Sequence, residues 1–337
     1  MKNIYDMNST SRRTFLRSLG LVTAGYGLSG SLLTACSSKP GSGQATDSTA
    51  VALEAKKDLF FKISLAEWSF NKALKAGELD NLDFPAKAKN EFGISAVEYV
   101  NQFFMDKAKD SAYLAELKKR CDDNGVTSVL IMCDREGSLA DHDDKKRQLA
   151  VENHYKWAEA AKFLGCHSIR VNCAGEGTRE EVAKAGMDGL HKLSEFSQGL
   201  GINVIVENHG GYSSDGQWLS AVIKSVGLPN CGTLPDFGNF CVKSEGNGAE
   251  RKCVDMYDKY KGVSELMPYA KGVSAKTYNF DEQGNCVEID YNNMLSIVKQ
   301  AGYTGYIGIE YEGDKLSEAE GVKATIDLLK RVGASLS

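Results

Sequence analysis

The chain has 337 residues, with 40 Lys and Arg against 45 Asp and Glu, for a net charge of −5. An acidic chain with no basic cluster is poorly suited to gripping a phosphate backbone, so nucleic acid is not an expected partner. The length fits one large α/β barrel or two ordinary domains, and no Pro/Gly-rich linker divides it.

At the N-terminus, Ser11-Arg-Arg-Thr-Phe-Leu16 precedes an apolar run from Leu19 to Ala35. A charged start, an apolar middle and small residues at the end describe an export signal. The Arg12-Arg13 pair followed by Phe15-Leu16 resembles a twin-arginine signal, and Leu33-Thr-Ala-Cys36 resembles a lipobox. Residues 1–35 are therefore expected to be a signal, and Cys36 a lipidated anchor to the membrane. The 36–58 segment, rich in Ser, Gly, Thr and Ala, reads as a flexible tether. The expected location is the periplasm or cell envelope of a bacterium. Removing residues 1–35 takes away Lys2, Arg12, Arg13, Arg17 and Asp6, leaving 302 residues and a net charge of −8.

From residue 59 to 337, apolar runs alternate with amphipathic stretches. Strands are predicted over Phe61–Ala66, Ala96–Val100, Thr127–Cys133, Ser168–Cys173, Asn203–Asn208, Gly232–Asp236, Gly272–Thr277 and Tyr306–Tyr311. Ala112–Cys121 and Asn153–Leu164 carry apolar residues at helical spacing. Gly125, Gly165, Gly201 and Gly302 fall between a helix and the next strand, where a left-handed residue closes the helix. Eight such units in one domain length predict a single (β/α)8 barrel. The alternative, a doubly wound open sheet, lacks a Gly-rich loop after its first strand, because Ala66-Glu-Trp-Ser-Phe70 has no glycine. Cys133, Cys166, Cys173 and Cys231 lie in or beside apolar runs, and the thiols are expected to be mostly free and buried.

Three carboxylates end three of the runs: Glu207 on the fifth, Asp236 on the sixth and Glu310 on the eighth. Barrel active sites form at the C-terminal ends of strands, and three converging carboxylates repel unless a cation sits between them. They are the candidate metal ligands. Alternation adds His209 beside Glu207, Glu312 beside Glu310, and Ser274, Lys276 and Tyr278 on one face of the seventh strand. Glu67, Trp68, Glu98 and Asn172 are further candidates for substrate contact, with Arg170 sharing the face of Asn172. His142, His154, His167 and His191 read as surface or packing residues, since none pairs at ligand spacing.

Over residues 60–335 these strand ends resemble the xylose isomerase-like barrel superfamily, in particular its sugar phosphate isomerase/epimerase group. The resemblance implies a divalent ion, Mg²⁺ or Mn²⁺, held by Glu207, Asp236 and Glu310. The family's strand-seven imidazole is replaced by Ser274, a further metal-ligand candidate, and a second family His by Asn239. The implied activity is isomerisation or epimerisation of a ketose or keto-sugar through an enediolate, with Glu207 and Glu310 moving the proton. A dehydratase or hydratase of keto-sugars or keto-inositols would use the same site, and a non-catalytic carbohydrate-binding barrel is the remaining alternative. The endonuclease branch needs more His and acidic ligands and a basic face, and neither is visible.

Overall fold

The computed structural model describes residues 58–246, 250 and 252–337. The expected signal, Cys36 and the tether up to residue 57 lie outside the described residues. No described helix is long and apolar enough to cross a membrane.

Eight parallel strands form one sheet. They are β1 (Lys62–Ala66), β2 (Ala96–Val100), β3 (Thr127–Met132), β4 (Ser168–Asn172), β5 (Asn203–Glu207) and β6 (Cys231–Leu234). Two strands outside the sheet follow, β7 (Cys241–Glu245) and β8 (Lys252–Met256). The seventh and eighth barrel strands are β9 (Val273–Thr277) and β10 (Tyr306–Tyr311). The order is β6-β5-β4-β3-β2-β1-β10-β9. Single parallel bridges, Thr233 with Ala270 and Asp236 with Ser274, bring β6 and β9 together and close the ring. Here the Ser274 N–H donates to the Pro235 carbonyl (2.9 Å) and the Phe237 N–H to the Ser274 carbonyl (3.1 Å). Pro235 has no N–H to extend a ladder, which fits the regular part of β6 ending at Leu234. The fold is a closed (β/α)8 barrel and not an open doubly wound sheet.

The predicted strands agree with these to within one or two residues at their ends. The predicted helix 112–121 lies inside Ser111–Asn124, and 153–164 is the second half of Asp144–Leu164. The latter helix begins at Asp143, whose carboxylate accepts from the N–H groups of Lys145 and Lys146. It ends at Gly165 with φ 83°, a conformation costly for any residue with a Cβ.

Two apolar layers result. Ala66, Ala96, Leu130, Met132, Ile205 and Leu234 pack together in one small cluster. The larger layer lies between strands and helices and includes Leu117, Trp157, Leu190 and Leu329. Trp157 is fully buried, and its indole N–H donates to Glu136 (2.6 Å).

Two features depart from the sequence reading. The antiparallel hairpin of β7 and β8 was not expected, and it carries a disulfide between Cys241 and Cys253. That pair is the exception to the mostly free thiols expected. Cys121, Cys133, Cys166, Cys173, Cys231 and Cys286 are free and buried.

Candidate active site

Parallel strands bring all their C-terminal ends to one mouth. Glu207 is the last residue of β5, Asp236 follows β6 by two residues, and Glu310 is the fifth residue of β10. One carboxylate oxygen from each lies within 4.8 Å of the others, and all three residues are buried. Asp236 is fixed from both sides. Its backbone N–H donates to Asn208 Oδ1 (2.7 Å), and Oδ1 of its carboxylate accepts from the N–H groups of Gly238 and Asn239 (2.9 and 2.8 Å). Ser274 Oγ bridges two of the carboxylates, at 2.6 Å from Asp236 Oδ2 and 3.3 Å from Glu310 Oε2. Asn239 Nδ2 donates to Glu207 Oε1 (2.9 Å).

Two buried cations face this cluster. Lys276 Nζ lies 2.6 Å from Glu310 Oε1, 3.8 Å from Asp236 Oδ2 and 3.4 Å from Glu312 Oε1. Arg170 Nε lies 2.8 Å from Glu207 Oε2. That pair is not aligned as a hydrogen bond, and neither atom has another hydrogen-bond partner. Burial raises the Glu207 carboxyl to about 7, against the pull of Arg170. Burial likewise raises Asp236 to about 7, against Lys276. For Glu310 burial again pushes upward, but the Lys276 ammonium prevails and its pKa is lowered. The residues fit a divalent ion. The trio supplies oxygen donors only, as hard cations prefer, and one oxygen from each carboxylate lies within 4.8 Å of the others.

The other predicted residues divide by depth. His209 sits at the mouth, open to solvent on one side. Surrounding protein atoms, with the charges of Arg170 and Lys276, lower its pKa. Trp68 donates its indole N–H to Glu312 and lies against Phe103 with ring centroids 6.1 Å apart. Tyr278 is half-buried on β9's outgoing loop, and Asn172 Nδ2 donates to Asp134 Oδ1 (2.9 Å). Glu67 and Glu98, the other two candidates for substrate contact, are both enclosed. Glu67 is fully buried, and Oε2 of its carboxylate accepts the Val100 N–H (2.8 Å), tying β1 to β2. Glu98 lies in mid-strand, inside the barrel. It accepts from Ser64 Oγ (2.6 Å) and packs against Gly308, where an added Cβ would meet its carboxylate at 2.5 Å. Of the four histidines read as non-functional, His154 is buried with Nδ1 2.7 Å from the Ala150 carbonyl, and His142 is exposed.

The sequence reading missed Asp134. Its Oδ1 accepts from Arg170 (2.8 Å), and Oδ2 from Gln102 (3.0 Å), so it orients the guanidinium that faces Glu207. Burial acts against it, but Arg170 holds its carboxyl well below the usual range. The signal was present, since Asp134 also follows an apolar run. Asn208, which fastens Asp236, was read only as a strand end.

A family model for the xylose isomerase-like TIM barrel matches residues 86–332. The chain belongs to that family. No curated protein matches its sequence. Among solved structures of the xylose isomerase-like fold, the IolI protein with a bound zinc atom is similar at a TM-score of 0.62 and 15% identity, over 82% of this chain and 99% of that one. A sugar phosphate isomerase/epimerase from Parabacteroides distasonis is similar at 0.58 and 18% identity, over 85% and 98%. A D-psicose 3-epimerase determined in the presence of D-fructose is similar at 0.58 and 14% identity, over 81% and 100%. At these identities the likeness establishes the fold.

Proposed function

We propose that this barrel is a metal-assisted isomerase or epimerase of a ketose or keto-sugar. The observation that carries the reading is the convergence of Glu207, Asp236 and Glu310 within 4.8 Å at the strand ends. Epimerases among the similar structures support the substrate class. A divalent ion, Mg²⁺ or Mn²⁺ by its oxygen donors, would be held by Glu207, Asp236 and Glu310, and would supply Lewis-acid stabilisation of charge on the sugar oxygens.

The chain's own groups do the rest. Glu207 and Glu310 remove the proton next to the carbonyl and return it. Arg170 and Lys276 add positive charge beside the oxygens that become negative, in a water-poor site where such charge acts strongly. His209 offers a hydrogen bond to a hydroxyl, and Asn172 and Tyr278 would do the same. Trp68 provides an apolar face for a sugar ring. Ser274 Oγ fastens Asp236 and Glu310 and acts through them.

The location in the cell envelope, with an anchor at Cys36, is part of the same proposal. The Cys241–Cys253 disulfide supports it, because such bonds persist in oxidising compartments.

The test is proton exchange. With Mn²⁺ supplied, a ketose such as D-fructose or a keto-glycoside incubated in D₂O should gain deuterium at the carbon next to its carbonyl, read by NMR. Glu310→Gln should slow that exchange by about 100-fold or more, the usual contribution of a general base. Saturable sugar binding without exchange would instead mark a binding protein, and loss of water from the sugar a dehydratase.

A further inference from the structure

Lys276 is among the largest fully buried side chains of the molecule. Its ammonium lies against two of the carboxylates that would hold a metal, 2.6 Å from Glu310 Oε1 and 3.8 Å from Asp236 Oδ2. An ammonium and a divalent ion cannot share those carboxylates closely, because at such distances in a low-dielectric site their repulsion is large. The chain therefore brings a competitor to its own metal site.

That competitor also has a third carboxylate partner, outside the metal trio, to fall back on. Glu312 Oε1 lies 3.4 Å from Nζ, towards the rim, and is partly exposed. It also accepts the indole N–H of Trp68, so it is held in position. Gly238 leaves room for the lysine stem, since a Cβ there would meet Lys276 Cγ at 2.8 Å. Between the deep pair and the rim carboxylate, a rotation of the flexible stem suffices.

We propose that Lys276 is a resident counter-ion that a divalent metal must displace, and that on displacement its ammonium leaves Glu310 and Asp236 and keeps Glu312 as its carboxylate partner. This rests on the metal-assisted reading above. It makes Lys276 the residue that sets metal affinity. With no metal present it neutralises the carboxylate cluster and lets the barrel stand folded. With metal present it becomes a positive group at the rim, beside the sugar.

The test is calorimetric titration of Mn²⁺ into the whole chain and two variants. Lys276→Met should bind Mn²⁺ about tenfold more tightly or better, a factor well within one unit charge's reach in a buried site. Its melting temperature without metal should fall and recover with Mn²⁺. Glu312→Gln, which removes only the rim partner, should bind Mn²⁺ several-fold more weakly. Mg²⁺ should change the indole fluorescence of the parent through Trp68, and Glu312→Gln should lose that change. Equal or weaker binding by Lys276→Met overturns the proposal. If Lys276→Met does not fold even with Mn²⁺, Glu312→Gln decides alone, and unchanged affinity there overturns it. Saturable binding of equal strength in parent and variants would leave the metal-assisted reading intact. No binding in any of them would remove both.

Discussion

Depth along a strand decides what a barrel carboxylate does. Glu207 at the end of β5 and Glu310 near the end of β10 reach the mouth, whereas Glu98, in the middle of β2, is enclosed. Alternation in the sequence marks which residues point inward, but not how deep they sit, which is why Glu98 and Glu67 read as mouth residues. Burial, then Ser64 acting the other way and the charges of Glu310 and Glu207, leave the Glu98 carboxyl at about 8 instead of 4.5. The folded chain thus binds a proton here that the unfolded chain releases. The associated stability is fully present below 4.5 and is lost as pH rises through about 8. Glu98→Gln, which keeps the shape and cannot ionise, should flatten the decline. Urea unfolding of parent and variant at pH 6 and pH 9 reads the difference, expected to be about 2 kcal/mol or more at the higher pH. A parallel decline in both would show that Glu98 already ionises freely in the fold.

The elements divide by how strongly their sequences are patterned. The eight barrel strands are apolar runs flanked by caps and glycines, and their boundaries were legible to within a residue or two. The β7–β8 hairpin was not, because Cys241–Glu245 and Lys252–Met256 bury little and show no apolar alternation. What holds the hairpin is long-range and invisible to local pattern. It is held by the Cys241–Cys253 bond, and by the Tyr257 N–H donating to the Phe240 carbonyl (2.8 Å) at its base. Such a unit opens independently of the core. Replacing both cysteines with serine should speed proteolytic cutting between residues 241 and 256 severalfold. The main melting transition should move by no more than about 2 °C, since little apolar surface is involved. A fall of the main transition by much more than that would tie the hairpin to the barrel's global stability.

Over the whole molecule, the sequence placed the fold, the mouth and three converging acidic groups. It did not show that Arg170 and Lys276 turn towards them, because those contacts join β4 to β5 and β9 to β10, across more than thirty residues of chain in each case. Nor did it show Asp134 holding Arg170. The outcome is a barrel mouth whose negative charge is partly balanced from within and whose remaining donors suit a divalent ion. Everything chemical in the account rests on that balance. The most direct measurement is a calorimetric titration of the chain with Mn²⁺, beside Asp236→Asn. The account predicts a single saturable site per chain that the substitution abolishes. No saturable binding, or binding that Asp236→Asn leaves unchanged, would contradict it.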